Sequence, residues 1–192
     1  MRIHLFIPCF VDLFSPEVGA ATARILTRLG HEVRHPDGQT CCGQPALNSG
    51  YLPDAECLAN RLLDVLEVGE PDAVVAPSGS CVAALREVGP RHLSLDREIL
   101  ERTFELSEFL TEALGVTDLG AEFPHRVAWH DGCHALRELG VRDGPRKLVR
   151  AARGATLVEL SPSEECCGFG GTFAVKFDEV SAAMGRRKLR AI

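Results

Sequence analysis

Short apolar runs alternate along the chain with longer stretches in which apolar residues recur every three or four positions. Residues 2–9 form the first run and predict a buried strand ending at Cys9. Residues 15–30 predict a helix, with Ser15 as its cap and Pro16 at its first position. Val18, Ile25, Leu26 and Leu29 make its apolar face, and Gly30 is its left-handed stop. A short strand over 31–34 leads to the loop that carries Cys41 and Cys42. Pro53 opens a second helix, with Ala55, Leu58, Ala59, Leu62 and Leu66 on one side. Residues 72–77 then predict a third strand, which ends in the turn Ser78-Gly79-Ser80-Cys81. The order β-α-β-α-β predicts parallel strands joined by crossovers. Sites in such sheets form outside the carboxyl ends of the strands. Cys9, the Cys41–Cys42 loop and Cys81 all follow strands, so they are expected on one sheet edge.

Residues 82–120 read as a connector carrying helices. One begins at Ser107-Glu108, with Leu106, Leu110, Ala113 and Leu114 as its apolar side and Gly115 as its stop. Residues 120–124 form a turn-rich joint. Beyond it the pattern repeats: a strand over 126–130 runs into Cys133, and Gly144-Pro145 opens a helix with Leu148, Val149 and Ala152. Gly154 ends that helix, 155–160 is the next strand, and a last helix starts near Asp178. The expected fold is therefore α/β, with two pseudo-repeated parallel-sheet halves whose cysteine edges face the joint between them. Residues 1–120 hold the first repeat and its helical connector, and 121–192 hold the second.

The cysteines follow the same repeat. Cys41-Cys42-Gly43 lies 32 positions after Cys9, and Cys166-Cys167-Gly168 lies 33 positions after Cys133. The counterpart of Cys81 would fall near position 206, so the second repeat is expected to be truncated and one thiolate short. Cys57 has no counterpart and reads as a small apolar residue on its helix.

Composition narrows the chemistry. The 192 residues are 45% hydrophobic and 25% charged, ordinary values for a soluble domain. A net charge of −6 and no basic stripe with interleaved aromatics argue against nucleic acid as a partner. Arg186, Arg187, Lys188 and Arg190 read as cations at a helix end. No run of about 18 apolar residues would span a membrane. The apolar N-terminus is too short for a signal peptide, so a cytoplasmic location is expected. Disulfides are rare there, and eight cysteines point to metal, cluster or redox chemistry.

Thiolates are soft ligands, suited to zinc, copper(I) and iron–sulfur clusters. Zinc usually takes ligand pairs separated by two to four residues. Adjacent cysteines diverge, which suits a cluster with several irons better than one tetrahedral ion. Gly43 and Gly168, lacking Cβ, let the backbone approach a bulky group. A zinc site or a reversible thiol-redox site remains the alternative. His130 and His134 flank Cys133 and read as a ligand, a hydrogen-bond donor or a proton carrier, or else as ordinary polar residues at a strand end. Asp131 reads as a turn cap. His4, His31, His35, His92 and His125 read as surface or packing residues. No dinucleotide fingerprint, P-loop or nucleophile turn is present.

Cys9 with Cys41-Cys42-Gly43 and Pro77-Ser78-Gly79-Ser80-Cys81 resembles the cysteine-rich CCG domain. His130-Asp131-Gly132-Cys133-His134 with Cys166-Cys167-Gly168-Phe169-Gly170-Gly171-Thr172-Phe173 resembles it again. That domain occurs in tandem in the heterodisulfide reductase B subunit, the glycolate oxidase iron–sulfur subunit and the lactate utilisation protein A family. The chain is most similar to the last. The resemblance implies an iron–sulfur, electron-transfer subunit of an oxidoreductase complex that converts L-lactate to pyruvate, with other iron–sulfur subunits as partners. It also implies that Cys9, Cys41, Cys42 and Cys81 hold one complete [4Fe–4S] site. Cys133, Cys166 and Cys167 would form an incomplete second one. Heterodisulfide reductase subunits carry a Cys-x-x-Cys pair in each repeat. Here Ser78 and Ala84 stand where such a partner of Cys81 would be.

Overall fold

The structure is a computed structural model that describes residues 1–160 and 164–190. Four parallel strands form the main sheet in the order β2-β1-β3-β4: β1 (Arg2–Leu5), β2 (Glu32–Arg34), β3 (Ala73–Ala76) and β4 (Thr103–Glu105). The central strand β1 sets Ile3 beside Val33 on one side and Ala73 on the other. A second sheet pairs β5 (Arg126–Trp129) with β6 (Thr156–Glu159), also in parallel. The α/β class with parallel sheets is as the chain pattern predicts.

Both faces of the main sheet are covered, and this explains why β3 is apolar throughout instead of alternating. Val74 and Ala76 face a core with Phe6, Leu62, Leu63 and Leu66. Leu62, Leu63 and Leu66 come from α4 (Leu52–Glu67), whose apolar stripe has helical spacing. Ala73 and Val75 face the other core, with Leu26 from α2 (Pro16–Arg28) and Phe109 and Leu110 from the later helical segment. Each fully buried Leu or Phe contributes about 1.5–3 kcal/mol.

Several elements differ from expectation. β1 stops at Leu5, and Cys9 instead begins a short helix, α1 (Cys9–Phe14). Ser15 precedes α2 without a side-chain capping bond, and Val18 is exposed. The expected helical connector contains strand β4, which pairs with β3 through Val75 and Phe104. Its three residues are too few to show an alternation. The next helix, α6 (Leu106–Glu108), continues as a π-type turn over Phe109–Ala113 and is capped by Glu105. The Glu105 carboxylate accepts from the Ser107 and Glu108 N–H groups, and Glu108 accepts from Glu105 N–H in return. Burial raises the Glu105 pKa. Two short helices unmarked in the apolar pattern follow the cysteine doublets: α3 (Gln44–Asn48) and α9 (Thr172–Lys176).

The remaining helices are α5 (Gly79–Ala83), α7 (Cys133–Arg137), α8 (Asp143–Ala151) and α10 (Asp178–Leu189). Arg186, Arg187 and Lys188 lie in the last turn of α10 as expected, but Lys188 is buried. Among the described residues, no helix is long and apolar enough to cross a membrane. His4 is a packing residue, with Nδ1 2.9 Å from the Leu66 carbonyl oxygen.

Candidate thiol centres and the cavity between the sheets

The chain delivers its cysteines by two matching devices. β1 runs through a short link to α1, whose first residue is Cys9. β5 runs through a similar link to α7, whose first residue is Cys133. The doublets share one geometry. Gly43 has φ 84° and Gly168 has φ 83°, both in the left-handed region. A Cβ on Gly43 would lie 2.6 Å from the Ala55 carbonyl oxygen, and one on Gly168 would lie 2.6 Å from that of Ser181. Ala55 and Ser181 occupy the first turns of α4 and α10. In each half, only glycine lets the turn after the cysteines seat against the following helix.

Four thiols meet in the first half. Cys9 contacts Cys41, Cys41 contacts Cys42, and Cys42 contacts Cys81. Cys42 and Cys81 are buried, Cys41 is half-buried and Cys9 is exposed. Their proton affinities alternate. Burial, then the neighbouring Cys41 sulfur, raises the Cys9 pKa to about 11. Hydrogen bonding from Cys42, with help from the Gly43 N–H and Cys9, lowers the Cys41 pKa to about 5 against the opposing effect of burial. Contact with Cys41 and Cys81 pushes Cys42 well up, with burial adding to it. Cys81 is lowered by Cys42 and by the Ser78 and Ser80 hydroxyls.

Three positioning residues escaped the sequence reading. Ser78 and Ser80 stabilise the Cys81 thiolate, and Ser78 also caps α5 by accepting from the Cys81 N–H at 3.5 Å. Gln39 ties the doublet loop to the end of β1. Its amide donates to the Leu5 carbonyl at 2.8 Å and accepts from the Ile7 N–H at 3.1 Å. An amide two residues before a cysteine doublet is the signal that could have found it.

Cys133, Cys166 and Cys167 gather in the second half and are half-buried. Burial raises the Cys133 pKa, with the Cys166 and Cys167 sulfurs adding to it and Arg137 opposing. The Gly168 N–H donates to Cys166 Sγ at 3.4 Å. These three thiols line a cavity of about 350 Å³. Its opposite wall belongs to the first half: Gln44 and Asn48 from α3, and the Ser78-Gly79-Ser80 turn. The two halves touch there. Gly79 and Ala135 are so close that a Cβ on Gly79 would fall 2.6 Å from that of Ala135. Ser49 Oγ lies 3.4 Å from Thr172 Oγ1, and Phe169 meets Phe10 edge-on at 5.8 Å.

Asp131 does not cap a turn. It accepts two Arg146 N–H bonds at 2.7 Å, and Arg146 also donates to Glu159 at 2.9 Å. This buried pair lowers the Asp131 pKa and clamps α8 to the strand ends of the second sheet. Burial, then Lys188, lowers the His130 pKa, with Asp131 opposing. Cys57 stands apart from both sets, exposed on α4 rather than buried.

Among the described residues, no group of three or more His, Cys, Asp or Glu side chains is placed to hold a single metal ion.

A cysteine-rich CCG domain matches residues 3–86 and again 127–192. Lactate utilization protein A of Oceanobacillus iheyensis is 44% identical over 195 residues, covering 98% of this chain and 79% of the relative. The protein of the same description from Bacillus velezensis is 41% identical over 198 residues, covering 100% of this chain and 82% of the relative. That of Bacillus subtilis is 40% identical over the same length, with the same coverage. The chain belongs to the lactate utilization protein A family of CCG-domain proteins. The two matched spans correspond to the two places where a strand, a cysteine-led helix and a Cys-Cys-Gly turn recur.

Proposed function

We propose that this chain is an iron–sulfur electron-transfer subunit of a complex that oxidises L-lactate to pyruvate. Cys9, Cys41, Cys42 and Cys81 would hold a [4Fe–4S] cluster, and Cys133, Cys166 and Cys167 would serve a second site. One observation carries the reading. Four thiols from three separate segments meet at the carboxyl edge of a parallel sheet. The donor set fits such a group: it is thiol-only, and the glycine turn brings backbone N–H close to the sulfurs. The names of the relatives supply the lactate context. A zinc-stabilised or thiol-redox module is the rival.

When bound, a cluster supplies one-electron storage and transfer at a potential set by its surroundings. The chain itself does the rest. Cys41 and Cys81 present sulfurs biased toward thiolate, and Cys9 and Cys42 give up protons as they become ligands. Gln39 fixes the Cys41–Cys42 loop against the strand end, and Ser78 and Ser80 donate to the Cys81 sulfur. The core around Cys42 and Cys81 shields that end of the set from water. Partner iron–sulfur subunits would exchange electrons at the exposed Cys9 side.

The test is genetic. Cells carrying Cys41→Ser and Cys42→Ser in this chain should fail to grow on L-lactate while growing normally on glucose. Unchanged growth on lactate would sink the assignment.

A further inference from the structure

The four thiols of the first half receive their hydrogen bonds from different sources. Backbone N–H groups serve three of them: that of Phe10 for Cys9, that of Gly43 for Cys41 and that of Gln44 for Cys42. Cys81 is served by side chains, the Ser78 and Ser80 hydroxyls.

Those hydroxyls form a pair at the start of α5. Ser78 Oγ lies 3.3 Å from Ser80 Oγ and accepts from the Cys81 N–H at 3.5 Å. Capping accounts for Ser78. It does not account for Ser80, the second residue of α5, where alanine would suit a helix better. Both serines also line the cavity that Cys133, Cys166 and Cys167 wall on its other side.

A hydroxyl hydrogen rotates to suit its acceptor. The Ser78–Ser80 contact and the Cys81 sulfur compete for the same two hydrogens. When negative charge builds on the sulfur, both hydrogens can turn to it without any backbone movement. Donors of this kind favour the more negative, reduced state of a cluster, and hydrogen bonds to its sulfurs are one of the levers on its potential.

We infer that Ser80, together with Ser78, is a positioning residue that raises the reduction potential of the first site by donating to the Cys81 sulfur. The inference rests on the reading of the first thiol set as a cluster site.

The experiment uses the full chain, loaded with iron and sulfide without oxygen and titrated with dithionite under electron paramagnetic resonance. Ser80→Ala should lower one midpoint potential while leaving bound iron and the denaturant midpoint unchanged. Ser80→Thr, which restores a hydroxyl, should bring the potential back. Ser78→Ala should lower the same midpoint and also the stability, because it removes the cap, and Ser78→Thr should restore both. The double alanine variant should fall further than either single one. An unchanged potential in Ser80→Ala and in the double variant, with iron bound, would overturn the inference and leave the cluster reading intact. An equal fall in Ser80→Ala and Ser80→Thr would also overturn it, since the hydroxyl would not then be the cause. Loss of iron from Ser80→Ala would do the same, because the residue would be holding the site instead of tuning it. Failure of the unmodified chain to take up iron would overturn both readings.

Discussion

At the residue scale, the first thiol set behaves as alternating donors and acceptors. Cys41, with a pKa of about 5, is half-buried, whereas Cys9, at about 11, is exposed yet protonated. Thiolate character and access together set reactivity. In metal-free protein near neutral pH, iodoacetamide should therefore alkylate Cys41 before Cys9, as peptide mass mapping over time would reveal. Faster labelling of Cys9 would contradict the order of charges. Loading a metal group must also strip protons from Cys9 and Cys42, whose raised pKa values keep them protonated at neutral pH. Uptake should release at least these two protons and strengthen as pH rises, measurable by calorimetry in buffers of different ionisation enthalpy. Neither behaviour was legible in the chain alone. The strand ends told where the thiols gather, but only side-chain placement tells which sulfur touches which.

At the scale of elements, the helix stripes of α2 and α4 and the strands β1, β2, β3, β5 and β6 were readable because each has a clear period or apolar run. β4 was not, because Thr103–Glu105 is three residues long and owes its place to pairing with Val74, Val75 and Ala76. Helices α3 and α9 were missed for a similar reason: each is five residues long and follows a glycine turn. Those turns are testable. Gly43→Ala forces an L-residue into the left-handed region, a cost on the order of 1–2 kcal/mol, and drives a methyl into the Ala55 carbonyl. Gly168→Ala does the same against Ser181. Each variant should unfold at a lower denaturant concentration, and each should release iron from its own site first. Equal iron retention at both sites would show that the turns do not position the thiols.

The Asp131–Arg146 pair belongs to this scale too. Asp131 has a depressed pKa in the fold, so its contribution is present above the unfolded value and is lost as pH falls through the folded one. Asp131→Asn should lower stability near neutral pH, because the buried guanidinium then keeps only Glu159 as a charged partner. It should also flatten the acid side of the stability profile in denaturation series across pH. An unchanged acid limb would mean that other carboxylates govern it.

At the scale of the whole molecule, the two halves are joined where their cysteine-bearing elements meet. Gly79 abuts Ala135, Ser49 reaches Thr172, and the cavity between them has thiols on one wall and the Ser78-Gly79-Ser80 turn on the other. The repeat spacing of the cysteines announced two related halves. That the cysteine edges would face the joint followed from the strand ends, but the particular contacts did not, because they depend on one missing Cβ and on pairs such as Ser49 and Thr172, more than a hundred residues apart in the chain. The arrangement sets the second thiol group across a cavity from the Ser78-Gly79-Ser80 turn that leads to Cys81. The most direct measurement is the visible spectrum and iron content of the full chain, purified without oxygen and loaded with iron and sulfide. A broad absorption band that bleaches with dithionite, and that falls in both Cys41→Ser and Cys42→Ser together with bound iron, is the predicted result. Colourless protein that carries stoichiometric zinc after the same treatment would contradict it.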